Sequence, residues 1–357
     1  MEMDNREITV VVGMSGGVDS SVVALLLKKQ GYNVIGLHMK GENPVSAISD
    51  ENRVKELCKH IGIKCEIVDY SNQMQKVKEY FLSEYKSGRT PNPCVVCNRE
   101  VKFQPFLDYA EKVGAEYFAT GHYAIISHEE NILKKAVDTS KDQTYFLCQL
   151  SNYQLSKALF PLGELTKEQV RQIAKDNGLI SSSVKDSYDI CFLGSQKFRD
   201  FMRENNFEKE GDIIDIVSNK IVGKHTGLSK YTIGQRRGLG VGGGHGVTGE
   251  SWYVVDKDLI NNKLMVAQGD GEELLSSALV SNAVNWIPQK PNQKEFDCYA
   301  KFRYRQPDQK VRVTLRDDGS VYVAFQERQR AVTTGQYVVF YDGDNCLGGG
   351  AIDKVLK

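Results

Sequence analysis

The feature that most constrains this chain lies near its start. The run Ile8-Thr9-Val10-Val11-Val12 breaks at Gly13 and, after Met14-Ser15-Gly16-Gly17, gives way to Val18-Asp19-Ser20-Ser21 and the apolar stretch Val22 to Leu27. A β-branched run of that length favours a strand, and the stretch that follows, stopped at Gly31, favours a helix. A strand that turns directly into a helix is the first half of a βαβ unit, which buries both faces of its strand only within a parallel sheet covered by helices. The alternation continues. Val34 to Leu37 and Ile63 to Val68 read as strands, with Val54, Leu57, Cys58 and Ile61 at helical spacing between them. A helix from about Gln75 to Tyr85 leads into a loop, Gly88-Arg89-Thr90-Pro91-Asn92-Pro93, that delivers Cys94 and Cys97. Phe103, Phe106, Leu107 and Ala110 suggest a further helix, Tyr117-Phe118-Ala119 a strand, and Thr166 to Asn177, closed by Gly178, a well-marked helix.

After about residue 205 the helical periods give way to short β-rich runs with many glycines. Lys310 to Leu315 and Ser320 to Phe325 alternate as strands around the hairpin signal Asp317-Asp318-Gly319. These changes divide the 357 residues into 1–205, a central β-rich unit over 206–280, and a C-terminal β unit over 281–357. With 41% hydrophobic and 26% charged residues the chain reads as globular rather than disordered or collagenous. No run approaches the roughly 18 apolar residues of a membrane span. The opening residues, Met1 to Glu7, lack the profile of a secretory or transit peptide, so a cytoplasmic location is expected. Eight cysteines are too sparse for a disulfide scaffold.

The turn from Gly13 to Ser20 carries the first chemistry. Adjacent glycines let main chain approach an anion, and hydroxyls with the free N–H groups of a helix start can hold a phosphate. The Gly-Lys-Ser/Thr of a Walker loop is missing, so γ-phosphate hydrolysis is not implied. The string Ser15-Gly16-Gly17-Val18-Asp19-Ser20 resembles the pyrophosphate loop of ATP pyrophosphatases, which split ATP into AMP and pyrophosphate. In an open α/β sheet a ligand lies across the carboxyl ends of the strands, which places His38-Met39-Lys40 and Gly121 near the adenosine. His38 is equally compatible with a surface position.

Cys94 and Cys97 form a Cys-x-x-Cys pair, which suits either sulfur nucleophilic chemistry or metal binding. No second pair completes a zinc knuckle. Cys191 follows a loop, at the entrance to a strand. Cys58 and Cys65 read as core, and Cys148, Cys298 and Cys346 have no chemical neighbours in the sequence.

Seven strings occur in order: Ser-Gly-Gly-Val-Asp-Ser from Ser15, Gly-Arg-Thr-Pro-Asn-Pro from Gly88, Cys-Asn-Arg-Glu-Val-Lys-Phe from Cys97, Gly-His-Tyr-Ala from Gly121, Lys-Asp-Gln-Thr-Tyr-Phe-Leu from Lys141, Asp-Ile-Cys-Phe from Asp189, and Tyr-Thr-Ile-Gly-Gln-Arg-Arg-Gly-Leu from Tyr231. Together, over nearly the whole chain, they resemble the tRNA-specific 2-thiouridylases of the MnmA type. The resemblance implies an α/β fold: a Rossmann-like parallel-sheet ATP pyrophosphatase domain, a small β-rich central domain and a C-terminal β-barrel-like domain that binds tRNA. It implies that ATP with Mg2+ adenylates O2 of the wobble uridine and that sulfur replaces that oxygen. Gly13, Met14, Ser15, Gly16, Gly17, Val18, Asp19, Ser20, Met39 and Gly121 are then expected at ATP. Cys97 matches the nucleophile and Cys191 the persulfide carrier, with a disulfide between them as an expected product. Asn92, Pro93 and Cys94 are expected against the target base, and His122, Lys141, Asp142, Gln143, Arg303, Tyr304 and Gln336 on tRNA. A sulfur-donor protein or a hydrosulfide source is an implied partner.

Many members of the family read Asn-Pro-Asp where this chain reads Asn92-Pro93-Cys94. The exchange replaces a carboxylate with a thiol, a poor proton carrier at neutral pH. It opens an alternative in which Cys94, Cys97 and Cys191 ligate an iron–sulfur cluster that delivers hydrosulfide. Two other classes remain open on sequence alone: a different tRNA-modifying ATP pyrophosphatase, which would not need Cys97 or Cys191, and a noncatalytic RNA-binding protein.

Charge distribution supports the division. Lys+Arg and Asp+Glu are equal at 46 each, yet residues 1–200 sum to −1, 201–280 to −2 and 281–357 to +3. Arg303 to Arg316 holds five basic residues against one acidic, a local excess beside Tyr304 suited to phosphates.

Overall fold

A computed structural model describes residues 5–40, 44–184, 193, 198–205, 207–241, 250–269 and 271–357, with main chain alone at 44–49 and 199. The first region runs β1 (Thr9–Gly13), α1 (Val18–Lys29), β2 (Asn33–Lys40), α2 (Pro44–Ile61), β3 (Lys64–Asp69), α3 (Ser71–Lys86), α4 (Pro93–Val96), α5 (Gln104–Val113), β4 (Tyr117–Ala119), β5 (Ile125–Ser127), β6 (Ile132–Lys134), α6 (Thr144–Leu147), α7 (Asn152–Lys157), β7 (Ala158–Leu159), α8 (Lys167–Asp176) and α9 (Phe198–Glu204). Its sheet is parallel with the order β3-β2-β1-β4-β7. Because successive strand residues point to opposite faces, Val10 and Val12 join a core with Val22, Val23, Leu57 and Val170, whereas Val11 joins a second core with Leu37, Phe106 and Phe118. The chain leaves β1 toward β2 on one side and returns to β4 on the other. That reversal is the point where an open α/β sheet leaves a crevice at its carboxyl edge.

Local sequence chemistry sets the helix ends. Thr166 accepts from Gln169 N, while the Gln169 side chain accepts from Thr166 N at 2.7 Å, a reciprocal cap on α8. Such a cap contributes about 1 kcal/mol.

The second sheet contains β8 (Gly211–Asp215), β9 (Ile221–His225), β10 (Trp252–Asp258) and β11 (Lys263–Gln268) in the order β10-β11-β8-β9, around Ile213, Val254, Leu264 and Val266. The third comprises β12 (Leu275–Ser281), β13 (Asn285–Trp286), β14 (Glu295–Lys301), β15 (Gln309–Leu315), β16 (Val321–Arg330), β17 (Tyr337–Asp342), β18 (Asn345–Ala351) and β19 (Lys354–Leu356), extended by β6 and β5. The β15–β16 turn is the expected hairpin, with Arg316 N donating to Ser320 O at 2.9 Å and Gly319 at φ +82°.

Two features of this third sheet differ from the sequence division. β12 pairs along β16 from Leu275 onward, so the sheet begins ahead of residue 281. The β5–β6 hairpin comes from the first region, yet β6 pairs with β18 through Leu133↔Cys346 and Lys134↔Asn345. The second core continues accordingly into Tyr337, Val339 and Tyr341, and the two regions are packed as one body of apolar side chains.

Candidate active site

The turn after β1 is fixed from its neighbour strand. Met14 N donates to Leu37 O at 2.8 Å, and the His38 ring lies with Nδ1 2.8 Å from Met14 O. His38 is therefore a buried brace rather than a surface residue. Gly16, at φ +80°, turns the chain, a conformation that glycine adopts without a Cβ penalty. Ser15 Oγ accepts from Gly17 N at 3.3 Å and lies 3.1 Å from Ser20 Oγ, and Ser20 donates to Gly17 O at 3.3 Å. Gly17 caps α1 without a side-chain bond, so no side chain neutralises the positive end of the helix there. The expected stretch splits in two. Ser15, Gly16, Gly17, Asp19 and Ser20 form the cradle; Met14 and Val18 send their side chains into the core, and any contact they make with a nucleotide is through main chain. At Gly13 a Cβ would sit 2.5 Å from Phe106 Cζ, so this glycine admits the ring behind the sheet.

Asp19 is held from two directions. Lys167 Nζ lies 2.7 and 2.8 Å from its two carboxylate oxygens, and Tyr123 donates to Oδ1 at 3.0 Å. Lys167 is the first residue of α8, and its own N–H donates to Asp138 Oδ2 at 3.0 Å. Gly121 lies at the carboxyl end of β4, where a Cβ would come within 3.0 Å of Asp19 Cβ and 3.2 Å of Ser20 N. Its smallness lets β4 close onto the first turn of α1. Neither Lys167 nor the role of Tyr123 was legible beforehand. The Thr-Lys-Glu-Gln string marks a helix start but not the strand end that it faces.

Cys94 and Cys97 were expected on a loop, and the structure places both on a helix. Asn92 caps it by accepting from Cys94 N at 3.2 Å, and Pro93, which lacks only an N–H that the first turn leaves unused, opens α4. From Cys97 to Phe103 the helix widens into a π turn before α5. Pro105 follows that turn, and its missing N–H and bulky ring are incompatible with a regular α-helical ladder there. Cys97 is buried, in one apolar cluster with Val77, Val101, Met74 and Met39. Met39 lies two residues beyond Leu37, the partner of Gly13, so the cluster ties Cys97 to the carboxyl end of β2, the strand beside β1. Cys94, three residues earlier, is exposed.

The segment before these cysteines is clamped by the C-terminal sheet. Thr90 N donates to Thr334 O at 2.9 Å, Gln336 Nε2 donates to Thr90 O at 2.8 Å, and Arg89 pairs with Glu84 at 2.8 Å and Asp353 at 3.4 Å. Lys257, from the second sheet, donates to Gly88 O at 3.3 Å; burial lowers its ammonium pKa to about 8.

Family models match the chain end to end: "tRNA methyl transferase HUP domain" over residues 8–195, "tRNA methyl transferase PRC-barrel domain" over 199–268 and "Aminomethyltransferase beta-barrel domain" over 276–352. A protein of Alkaliphilus oremlandii named tRNA-specific 2-thiouridylase MnmA is 50% identical over 362 residues, covering 99% of this chain and 99% of that one. One of the same name from Bacillus cereus is also 50% identical, over 99% of this chain and 96% of that one. The chain belongs to the tRNA-specific 2-thiouridylase family. The thiolase NcsA of Methanococcus maripaludis, solved with its iron–sulfur cluster, is 19% identical over 56% of this chain and 66% of that one, with a TM-score of 0.36, too slight a likeness to bear on the site.

Within the 2-thiouridylase family frame, the remaining expected contacts fall into three groups. Cys191 lies outside the described residues. His122 and Asp142 are buried, Gln143 and Gln336 are part-buried, and all four are hydrogen-bonded within the protein. His122 is buried between Phe103 and Phe160 with Nδ1 2.8 Å from Thr120 Oγ1, and burial, reinforced by Lys102, holds its pKa well below the usual imidazole range. The Asp142 carboxylate accepts from Ala136 N at 3.1 Å and Thr144 Oγ1 at 2.9 Å, and burial raises its pKa. Gln143 Oε1 accepts from Tyr123 N at 2.9 Å. Asp142, Gln143 and Gln336 hold main-chain groups that the fold would otherwise leave unpaired, whereas His122 holds the Thr120 hydroxyl. The third group faces outward. Asn92 and Lys141 are part-exposed, Tyr304 lies with its ring 4.4 Å from that of Phe146, and Arg303 is exposed while its Nη2 ties Ile233 O of the second region to Ala331 O of the third. Asn98 completes the path from Phe146 to the cysteines, donating to Phe146 O at 3.1 Å.

Proposed function

We infer that this protein is an ATP-dependent tRNA 2-thiouridylase that replaces O2 of the wobble uridine with sulfur. The observation that supports the reading is the packing of Cys97 with Met39, which lies on β2 two residues beyond the partner of Gly13, the residue that opens the turn read as the phosphate cradle. The uridine O2 attacks the α-phosphorus of ATP, the bond to the β-phosphate oxygen breaks, and pyrophosphate leaves. Sulfur then attacks C2, and AMP departs with the former O2. The cradle supplies N–H groups and hydroxyls for the pyrophosphate end, and the helix dipole favours its charge. Asp19 suits Mg2+, a hard cation held by one or two carboxylates together with substrate phosphates, which supplies charge neutralisation when bound.

In the persulfide route the terminal sulfur of a Cys191 persulfide attacks C2. The Cys97 thiolate attacks the inner sulfur, the S–S bond breaks toward the sulfur on the base, and a Cys97–Cys191 disulfide forms, which a dithiol reductant returns to thiols. A sulfur-donor protein recharges Cys191. The exposure of Cys94 one helical turn from Cys97 favours a second reading, in which these two thiols and Cys191 ligate an iron–sulfur cluster that carries hydrosulfide. Among the described residues no group of three metal-ligating side chains converges, so no step is derived through the cluster. No described helix is long and apolar enough to cross a membrane.

The test is mass spectrometry of tRNA from a deletion strain. Loss of the 2-thio group at the wobble uridine, restored by the wild-type gene and not by Cys97→Ala, is the expected outcome. Retention of the 2-thio group in the deletion strain would overturn the reading.

A further inference from the structure

Lys167 has no place in the chemistry described so far, although it reaches the phosphate cradle from 148 residues away in sequence. Its ammonium meets both oxygens of Asp19, a residue of the first turn of α1, and its side chain is 11% exposed, whereas that of Asp19 is 32% exposed toward the crevice. The Tyr123 ring lies 5.8 Å from the same ammonium, and the Tyr123 hydroxyl meets the same carboxylate. Three further bonds fix the start of α8: the two of the reciprocal Thr166–Gln169 cap and the donation of Lys167 N to Asp138, itself tied to Ser140 at 2.6 Å. A long flexible side chain has thus been given a rigid base and a shielded path to one spot at a phosphate loop.

A purely structural tie between α1 and α8 has no need of a charge there. Buried ion pairs contribute little net stability, and the two helices already share the apolar contacts of Val22, Val23, Val170 and Ala174. A cation beside a loop built for pyrophosphate has a chemical use, because charge accumulates on the leaving oxygens as the α–β bond breaks. We propose that Lys167 is a binding residue for the pyrophosphate end of ATP, compensating Asp19 when the loop is empty and the departing pyrophosphate when ATP is split. The proposal rests on the reading of the loop as an ATP site and is independent of tRNA. Lys167 keeps its proton throughout: the electron pair of the breaking bond stays on pyrophosphate, and the ammonium contributes charge and donors only.

The experiment is calorimetric binding of inorganic pyrophosphate and of AMP to the full-length protein, with Lys167→Gln and Lys167→Arg compared with wild type. Lys167→Gln is expected to weaken pyrophosphate about tenfold or more and to leave AMP within about twofold, with Lys167→Arg recovering most of the loss. A merely structural clamp would weaken both ligands together or neither. Either result overturns the proposal. If Lys167→Gln does not fold, reductive methylation of the wild-type protein, read by peptide mass, decides the matter: pyrophosphate must slow modification of Lys167 and AMP must not, and equal rates with and without pyrophosphate overturn the assignment. A protein that passes this test but leaves tRNA unmodified would refute the thiolation reading alone.

Discussion

Gln336 donates its side-chain amide to the main-chain carbonyl of Thr90 at 2.8 Å, joining positions 246 apart in sequence. The same amide lies 3.4 Å from Pro91 O, and at Gly335 a Cβ would come within 2.9 Å of Thr90 O, so main chain meets main chain at this contact. The C-terminal sheet therefore holds the segment that leads into Asn92, Cys94 and Cys97. Replacing Gln336 by Ala should lower the thiolation kcat about tenfold through misplacement of the thiol, at a stability cost of about 1 kcal/mol, with the KM for ATP unchanged. Gln336→Glu should be worse than Ala, because a carboxylate would face two carbonyl oxygens with no proton to give. Single-turnover kinetics at saturating ATP measures the effect, and an unaltered rate in both variants removes the clamp from the mechanism.

Gly121→Ala tests the closeness of β4 to α1. The new methyl would meet Asp19 Cβ at 3.0 Å and main chain of Asp19 and Ser20 at 3.2 Å, so the first turn of the helix must shift by a few tenths of an ångström. A shift of that kind costs about 1–3 kcal/mol in folding and disturbs the cradle directly. ATP affinity should fall about tenfold, since the cradle's N–H groups lose alignment. Gly114→Ala is the control: it has φ +70° with open space around it, so it should cost about 1 kcal/mol of stability without touching ATP binding. Equal ATP affinities in the two variants would remove the special role of Gly121.

Local signals in the sequence carried further than long-range ones. Thr166 and Gly178 announced α8, Asp317-Asp318-Gly319 announced a hairpin, and Ile8 to Val12 announced the first strand of a parallel sheet, because caps, turns and side-chain periods act within a few residues. The pairing of Leu133 with Cys346 was not legible: a three-residue strand has almost no period, and its partner is chosen by packing across 213 positions. The site shows the same division. Its ordered strings pointed to Cys97 and the turn after β1, but they do not record that Asp142 and Gln143 hold main chain and that His122 holds the Thr120 hydroxyl. Lys167 was invisible because nothing local records which strand end a helix start will face.

His122 gives the fold an acid-sensitive point. Burial, with Lys102 nearby, lowers its folded pKa below the unfolded value of about 6.5, so in that window the unfolded chain binds more protons. The associated stability is fully present above pH ~6.5 and is lost as pH falls below it, by up to about 1.4 kcal/mol per pH unit. His122→Phe, placed between Phe103 and Phe160, should flatten that limb in urea unfolding between pH 8 and pH 5. Because the ring is buried, tRNA affinity at pH 7.5 should be unchanged. An identical acid slope in wild type and variant would show that His122 titrates normally.

Cys94 decides between the two sulfur routes. It occupies the second position of α4, exposed, with its N–H bonded to Asn92 and Cys97 one turn on, so removing its thiol leaves the helix start intact. In the persulfide route Cys94→Ala retains the two thiols that the chemistry requires; activity should fall less than about tenfold, as for a group near the base that makes no covalent step. In the cluster route the same change removes one of three ligands: anaerobically purified protein should lose its iron and broad visible absorbance, and activity should fall by more than about a hundredfold, because the hydrosulfide carrier is gone. Cys94→Asp separates the routes further. It restores the carboxylate common in the family, which serves a proton but holds a cluster poorly, and so should support the persulfide route and abolish the other. Iron content, absorbance and single-turnover thiolation measured on the same three preparations give a consistent pattern for only one route, and colourless, iron-free, active wild-type protein would exclude the cluster outright.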